Sequence, residues 1–345
     1  MIRYSQYTSL HHAPGGMYQW TGNSCYIDTV LWCLFFFPNV FIDRMMLFSR
    51  PSIHRLHQIA SCGKGLNDLN ERIFLEFQAL FRRISFFFRK MQGEIGNCND
   101  FRSLYKKWFM NKQCSLLRKK TTFHSTQQNE AQDLLQFVLS LYGMNGLVNY
   151  GAVSQESFYY GIVTGTSILW KHITTRSDKK QSIVWNIPFD SLSSSHIPSL
   201  SHLLSHTDDN TEIHHRYKGS SYNAMRTVQS LIEFADLLIL SVERINPIHR
   251  TILRKKVVIP DQLTDQKGKQ LHLFAVVCHH GSSIDSGHYT AYSRYRNHSK
   301  DMTGQDQKWY YYDNMVSVRP IASQEMAATS RIMATHGVLF FYCLM

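Results

Sequence analysis

The order of the sequence patterns predicts an α+β fold, with helices first and mostly antiparallel strands after them. Between residues 66 and 91, apolar side chains recur at nearly helical spacing, which predicts a long amphipathic helix, and residues 127–142 predict another. From Phe158 onward, alternating apolar runs separated by polar loops predict strands. We therefore expect a single domain over residues 1–345, mainly helical over 1–150 and mainly β over 151–345.

Cys25 is the first candidate for a reactive side chain. Residues 22–26 read Gly-Asn-Ser-Cys-Tyr and are followed by the apolar run 29–35, so that Cys25 is predicted at the start of a core helix. The free N–H groups and the positive dipole end of a helix favour the thiolate, which is the nucleophilic form of cysteine. A buried structural cysteine would give the same pattern, so this segment alone leaves both interpretations open.

Two strands near the end of the chain carry a candidate base and a candidate carboxylate. Residues 271–278 predict a half-buried strand, and residues 282–287 predict a loop. His288 opens the next predicted strand, and Asp313 ends the one after it. Neighbouring antiparallel strands bring such residues side by side, as a general base and its orienting acid require. For an isolated pair, a surface histidine and a turn aspartate are the alternative.

Three motifs in this order resemble those of the ubiquitin-specific protease family. The family's nucleophile motif is similar to residues 22–26, and its histidine motif is similar to residues 287–292, Gly-His-Tyr-Thr-Ala-Tyr. Its Trp-Tyr-x-Phe-Asp-Asp motif is similar to residues 309–314, Trp-Tyr-Tyr-Tyr-Asp-Asn. Asp28, three residues after the cysteine, is most similar to the cylindromatosis-type deubiquitinase branch. Weaker similarity covers nearly the whole chain.

The resemblance implies a papain-like cysteine protease fold with a helical thumb over 1–150, and with fingers and an antiparallel palm sheet over 151–345. It implies thiol-dependent hydrolysis of isopeptide or peptide bonds after the C-terminal glycine of ubiquitin. Cys25 would be the nucleophile, His288 the base and Asp313 the residue that orients His288. No cofactor is implied. The implied partners are ubiquitinated proteins and ubiquitin or polyubiquitin chains, including the linear and extended lysine-linked chains suggested by the cylindromatosis-type branch.

One departure from the family concerns the oxyanion. Family members usually carry an asparagine five residues before the nucleophile, and this chain has Trp20 there. Asn23, Gln19 or the Trp20 indole N–H, together with the Cys25 backbone N–H, are the candidate replacements, and the sequence does not choose among them. Loss of one oxyanion donor typically slows turnover about 100- to 1000-fold.

A second departure concerns metal. Many family members hold zinc in the fingers with two Cys-x-x-Cys pairs, but no two of the seven cysteines here are three residues apart. Residues 170–173 and 219–222 stand where those pairs would fall. Structural zinc requires four closely placed Cys or His ligands. We therefore expect zinc-free fingers and no metal site.

Four further residues are candidates for binding the arginine-bearing tail of ubiquitin. Glu130 and Asp133 are three residues apart on a predicted helix and align with the family's acidic tail-binding pair. His279 resembles a family histidine near the tail channel, and Tyr289 follows the candidate base. Without the resemblance, an acidic pair that only solvates a helix face is the alternative.

The composition limits the partners and the cellular locations that we expect for this protein. The net charge of +12 permits anionic partners, but no nucleic-acid motif accompanies it, so nucleic-acid binding is not expected. The longest apolar run is too short to span a membrane. Scattered cysteines and the absence of a signal-peptide pattern predict an intracellular, cytoplasmic protein, or one in a host cytoplasm if it is a pathogen effector.

Three rival functions remain open on the sequence. The first is an isopeptidase for another ubiquitin-like modifier of the SUMO type, because the motifs define the chemistry better than the modifier. The second is an inactive ubiquitin-binding scaffold, which Trp20 favours and the intact Cys25, His288 and Asp313 disfavour. The third, a generic papain-like protease, leaves the other motifs unexplained.

Overall fold

A computed structural model gives the structure of this protein. It describes the following residues: 15–48, 67–110, 123–142, 152–164, 167–176, 181–182, 184–188, 192, 197–205, 207–211, 215–217, 220–222, 224–246, 251–283, 286–295 and 308–344.

Helices and sheets both occur in these residues, which confirms the predicted α+β class. The helices are α1 (Cys25–Phe35), α2 (Val40–Ile42), α3 (Asn67–Lys90), α4 (Asn99–Phe109), α5 (Ala131–Ser140), α6 (Leu200–Ser205) and α7 (Met326–His336). A π-helical segment, Asp43–Phe48, continues α2, and a 3₁₀ turn, Ser323–Glu325, precedes α7.

The strands are β1 (Met17–Tyr18), β2 (Ile95–Gly96), β3 (Ala152–Thr164), β4 (Ser167–Arg176), β5 (Gln181–Ser182), β6 (Val184–Ile187), β7 (Thr207–Thr211), β8 (His215–Tyr217), β9 (Ser220–Tyr222), β10 (Ala224–Glu233), β11 (Leu237–Val242), β12 (Gln262–Thr264), β13 (Gln270–Ser283), β14 (Ser286–Tyr295), β15 (Lys308–Asp313), β16 (Ser317–Pro320) and β17 (Gly337–Cys343).

The chain forms two compact units that do not follow a single boundary in the sequence. The first unit comprises Met1–Leu147, Ile245–Leu253 and Phe274–Phe341. The second unit comprises Val148–Arg244, Arg254–Leu273 and Tyr342–Met345. Every candidate catalytic, oxyanion and tail-binding residue belongs to the first unit. The expectation of one catalytic domain with a mainly helical first part stays a prediction.

Helix α1 lies at the centre of the first unit, and each of its side chains is buried. Its Trp32 ring stacks on Tyr312 of β15 at a centroid distance of 5.0 Å. Phe35 stacks on Phe81 of α3 at 5.1 Å, so the helix is packed between the sheet and the long helix. Buried aromatic pairs of this kind contribute beyond their area alone. They fix the position of the residue that begins the helix.

A buried ion pair fixes the other end of α1. The guanidinium of Arg89 in α3 binds both carboxylate oxygens of Asp43, at 2.9 and 2.8 Å, and both side chains are fully buried. The same guanidinium donates to the carbonyls of Phe35 and Phe37, which lie at or just beyond the end of α1. Helix carbonyls without intrahelical partners are therefore satisfied by a cation, as the helix dipole favours.

No single helix among the described residues has the length and apolar composition needed to cross a membrane. Within the ranges that the structure describes, only the consecutive segments Cys25–Phe35 and Val40–Phe48 reach that length and composition, as a pair bent by 100°.

Strands β16, β15, β14 and β13 are consecutive antiparallel neighbours in an eight-stranded sheet, in which β17 follows β13. Ala291 of β14 pairs with Tyr312 of β15 and with Val277 of β13, so β14 lies between these two strands. Strand β13 extends to Ser283, which corrects the predicted end at residue 278. His279 and His280 are therefore strand residues, because each pairs with a partner on β14 across the antiparallel ladder.

The second unit contains a sheet in the order β4, β3, β10 and β7, with β5 also paired to β3. A separate antiparallel pair joins β8 and β9. Strands β6 and β11 pair in parallel, and the antiparallel pairing of β12 with β13 lies beside the first residues of β13. This region corresponds to the part of the chain in which fingers and palm were expected.

Two predicted helices are present in the structure, and one of them begins later than predicted. Helix α3, Asn67–Lys90, agrees with the predicted span 66–91. Helix α5 begins at Ala131, and not at residue 127 as predicted. The physical reason is local, because the Asn129 amide donates to the Gln127 carbonyl and to the Tyr26 hydroxyl, which favours a non-helical backbone before the helix.

Candidate active site

Cys25 is the first residue of α1, as predicted, and it is 1% exposed. The chain turns into the helix through Gly22 and Asn23, whose φ angles of 47° and 55° lie in the left-handed region. Glycine and asparagine are the residues that adopt this region most readily. A Cβ on Gly22 would also lie 2.7 Å from the Thr126 side chain. The turn therefore requires these residue types to place the sulfur at a helix N-terminus.

His288 and Asp313 lie on adjacent strands and are joined by a hydrogen bond of 2.8 Å between Nε2 and Oδ1. The Asp313 carboxylate also accepts a 3.0 Å bond from the Tyr311 hydroxyl and a 2.9 Å bond from the Met315 N–H. These donors fix the carboxylate, which holds one imidazole nitrogen of His288.

The two titratable partners have opposite pKa shifts. Partial burial alone would lower the pKa of His288, but its hydrogen bonds to Asp313 and Cys25 raise that pKa to about 9. Burial alone would raise the pKa of Asp313, but the bonds from His288, the Met315 N–H and Tyr311 lower it. The arrangement therefore favours an imidazolium beside an ionised carboxylate, the charge distribution that supports a thiolate.

A buried polar network connects the start of α1 to the end of β15, and the sequence reasoning missed its function. Asp28 Oδ2 accepts hydrogen bonds of 2.6 Å from both the Ser24 hydroxyl and the Asn314 amide. The Ser24 hydroxyl oxygen accepts from the Thr21 N–H at 2.9 Å. Asp28 is fully buried, and burial raises its pKa to about 7. The spacing of Ser24 and Asp28 by one helical turn was the available signal.

Arg102 is a second residue that the sequence reasoning missed. From α4, its guanidinium donates to the carbonyls of Thr21 and Gly22, at 2.6 and 2.7 Å. Arg102 is 8% exposed. Two charge-assisted bonds to consecutive carbonyls hold the turn before Cys25 in one orientation. No motif signals this contact, since Arg102 lies about 80 residues from its partners in the sequence.

The three candidate oxyanion donors lie in the turn before the nucleophile. The Asn23 amide donates to the Thr126 carbonyl at 2.9 Å, a bond that it would have to give up to reach an oxyanion. Trp20 is 42% exposed, and its backbone N–H donates to the Asn314 carbonyl at 2.9 Å. The side chain of Gln19 is exposed, and its backbone N–H donates to Gly96. Which of them acts as the oxyanion donor stays a prediction.

The four candidate tail-binding residues lie together beside Cys25. Glu130 is the N-cap of α5, and Asp133 is in its first turn. Tyr289 is on β14, and burial together with the charge of Glu130 raises its pKa. The His279 and Tyr289 rings lie 4.7 Å apart. Two of these residues are therefore at the start of α5 and two are on the paired strands β13 and β14, and their role in binding stays a prediction.

Among the described residues, no group of three or more His, Cys, Asp or Glu side chains is placed to hold a metal ion. Residues 170–173 belong to β4, and Gly219 lies outside the described residues, as do Cys62 and Cys114. Since part of the expected finger region is not described, the expectation of zinc-free fingers stays a prediction.

Residues 18–342 match the family model for ubiquitin carboxyl-terminal hydrolase. No curated protein sequence matches the chain.

Among solved structures, the SAGA DUB module Ubp8/Sgf11/Sus1/Sgf73 bound to monoubiquitin is similar to this chain with a TM-score of 0.57 and 14% identity, over 97% of this chain and 71% of the matched one. The same module bound to ubiquitin aldehyde gives a TM-score of 0.54 at 14% identity, over 97% of this chain and 72% of the matched one. The yeast SAGA DUB module with an Sgf73 substitution gives a TM-score of 0.54 at 14% identity, over 97% of this chain and 71% of the matched one. At this identity the likeness shows the fold.

Proposed function

The chain belongs to the ubiquitin carboxyl-terminal hydrolase family and is a cysteine deubiquitinase, and we propose that Cys25, His288 and Asp313 carry out its reaction. The observation that carries the proposal is the 2.8 Å bond between His288 and Asp313, on strands that pack against the helix that begins with Cys25. The matched structures include modules bound to monoubiquitin and to ubiquitin aldehyde, which supports ubiquitin as the substrate.

The reaction has two steps. The Cys25 thiolate attacks the carbonyl carbon of the terminal glycine of ubiquitin, and His288 donates a proton to the leaving amine as the acyl-enzyme forms. Water then attacks the thioester carbonyl, His288 accepts a proton from that water, and Cys25 leaves as the thiolate. Asp313 holds the imidazole in the orientation and tautomer that both steps need.

The turn before Cys25 supplies the surroundings for the oxyanion. The Cys25 N–H lies at the start of α1, where a helix has N–H groups without intrahelical acceptors. Arg102 and Asp28 hold this turn from two sides, by the carbonyls of Thr21 and Gly22 and by the Ser24 hydroxyl. A donor fixed before reaction costs no reorganisation when negative charge develops on the oxygen.

A finer placement within the family is also proposed, namely the cylindromatosis-type branch. Asp28 is the residue that supports this placement. Its carboxylate accepts hydrogen bonds from Ser24 and from Asn314, which gives an aspartate at this position a defined structural role. On this proposal, linear and extended lysine-linked ubiquitin chains are the expected polymeric substrates. A panel of di-ubiquitins of defined linkage tests this, and equal cleavage of all linkages would contradict it.

The experiment that tests the proposed function uses ubiquitin with a C-terminal electrophile. Mixed with the purified protein, it is expected to form a covalent adduct with the wild type and none with Cys25→Ala. A SUMO protein with the same electrophile is expected to form none. Reaction with SUMO alone would indicate an isopeptidase for that modifier. Binding of ubiquitin without an adduct would indicate the inactive scaffold, which Trp20 at the asparagine position favours.

A further inference from the structure

Three exposed apolar side chains lie next to the candidate catalytic carboxylate. Residues 314–316 form the turn between β15 and β16, and in this turn Met315 is 63% and Val316 is 70% exposed. The Met315 N–H donates to the same Asp313 oxygen that binds His288. Trp20, 42% exposed, joins the turn through the bond from its N–H to the Asn314 carbonyl. We call Trp20, Met315 and Val316 the apolar rim.

The apolar rim and His279, one of the candidate tail-binding residues, lie on opposite sides of strand β14. Strand β14, which carries His288, is flanked by β13 on one side and by β15 on the other. His279 is on β13, where its ring contacts Tyr289 and the N-terminus of α5 is near. The rim follows β15. A substrate that lies across the centre with its glycine tail toward His279 on β13 therefore has its leaving group toward the rim.

The chemistry of the rim suits that leaving group. Residues 19–23 and 314–318 contain no charged side chain, whereas the start of α5 carries Glu130 and Asp133. A lysine that is joined to ubiquitin has lost its positive charge, because its amine has become an amide. What it presents near the scissile bond is a neutral four-carbon stem. Apolar side chains bind such a stem by removing its surface from water.

We propose that Trp20, Met315 and Val316 form the binding surface for the leaving-group side of the scissile bond. Its occupant is the lysine side chain of the modified protein, with the residues that flank that lysine. This inference rests on the proposed function and deepens it, since it assigns the side of the site that the ubiquitin tail does not occupy. Exposed apolar residues beside a centre are explained by a partner that covers them during turnover.

The test compares two reagents that differ only beyond the scissile bond. One is ubiquitin joined through its terminal glycine to the lysine of a short peptide, and the other is ubiquitin with a C-terminal electrophile and no leaving-group residues. The main variant is Met315→Ser with Val316→Ser, which keeps the backbone N–H that binds Asp313. Phe86→Ser is the matched control, because Phe86 is 45% exposed on α3, away from the turn.

The double variant is expected to cleave the peptide conjugate with kcat/KM lowered about tenfold, which corresponds to about 1.4 kcal/mol, while its reaction with the electrophile keeps the wild-type rate. Phe86→Ser is expected to change neither the kcat/KM for the peptide conjugate nor the rate with the electrophile. Equal losses with both reagents, or no loss with either, would overturn the inference. A wild type that fails to react with the electrophile would overturn the proposed function, and the inference with it.

Trp20 is tested separately because it is also an oxyanion candidate. In Trp20→Leu, the indole N–H is removed and apolar surface is kept. A leaving-group role predicts a loss with the peptide conjugate only, and the loss is expected to be smaller than for the double variant. A fall of 100-fold or more with both reagents would assign Trp20 to the oxyanion and remove it from the rim.

Discussion

The amide of Asn314 donates a 2.6 Å hydrogen bond to the buried carboxylate of Asp28. Asn314 follows the carboxylate that binds His288, and Asp28 lies one turn into the helix that begins with Cys25. One bond therefore connects the strand that orients the base to the helix that carries the nucleophile. The distance between the two halves of the centre depends on this buried contact.

Removing the Asn314 amide is expected to lower both stability and turnover. In Asn314→Ala, Asp28 loses one of the two close side-chain donors that the described part of the chain gives it, and an unsatisfied buried acceptor costs about 1–3 kcal/mol. Urea unfolding measures the stability, and kcat on a ubiquitin–peptide conjugate measures the alignment. The matched control is Asn99→Ala, an exposed asparagine at the start of α4. Wild-type values for both quantities in Asn314→Ala would contradict the role given to this bond.

The buried carboxylate also predicts a pH dependence of stability. The pKa of Asp28 is raised from 3.8 to about 7. The stability that protonated Asp28 contributes to the folded state is therefore fully present below about pH 4 and is lost as pH rises through about 7. Asp28→Asn removes this titration. The free energy of unfolding of the variant relative to the wild type is therefore expected to rise between pH 4 and 8, by at most about 4 kcal/mol. A difference that is constant across this range would contradict the prediction.

The pH profile of activity is expected to reflect His288. Its pKa of about 9 means that the imidazolium persists through neutral pH, and kcat/KM should fall as pH rises through about 9. In Asp313→Asn, the carboxylate that raises this pKa is lost, so the alkaline limb should move to lower pH. Rates measured from pH 6 to 10 test this. An alkaline limb at the same pH in both proteins would show that Asp313 does not set the pKa.

Arg102 is expected to act as a positioning residue. Arg102→Lys keeps the charge, but a single ammonium cannot reproduce the two bonds of a planar guanidinium to consecutive carbonyls. We expect kcat to fall about tenfold with KM nearly unchanged, because oxyanion donors act mainly in the transition state. Arg83→Lys, at an exposed ion pair with Asp100, is the control. A rise in KM with unchanged kcat would place Arg102 in substrate binding instead.

Much of the fold followed from short-range sequence patterns. The start of α1 at Cys25, the span of α3, and the strands carrying His288 and Asp313 all depend on turns and on apolar periodicity within some 25 residues. The errors were at element ends. Strand β13 continued through His279 because its pairing with β14 outweighed the polar sequence, and α5 began late because Asn129 binds the local backbone.

The supports of the site could not be predicted in this way. Asn314 and Asp28 are 286 residues apart, and Arg102 is 80 residues from Gly22. Nothing in the composition of either segment indicates that these side chains meet. Asp28 was noticed only as a sign of one family branch, although its burial is what gives it a structural role. Long-range polar contacts depend on packing that a local pattern does not encode.

The most direct test of the account is the site and rate of covalent modification by ubiquitin with a C-terminal electrophile, measured by mass spectrometry. The account predicts one adduct per chain, on Cys25, formed at least tenfold more slowly in His288→Ala. His172→Ala is the matched control, because His172 is exposed on β4 in the second unit, and this variant should react at the wild-type rate. An adduct on another cysteine, or an unchanged rate in His288→Ala, would contradict the assignment of Cys25 and His288.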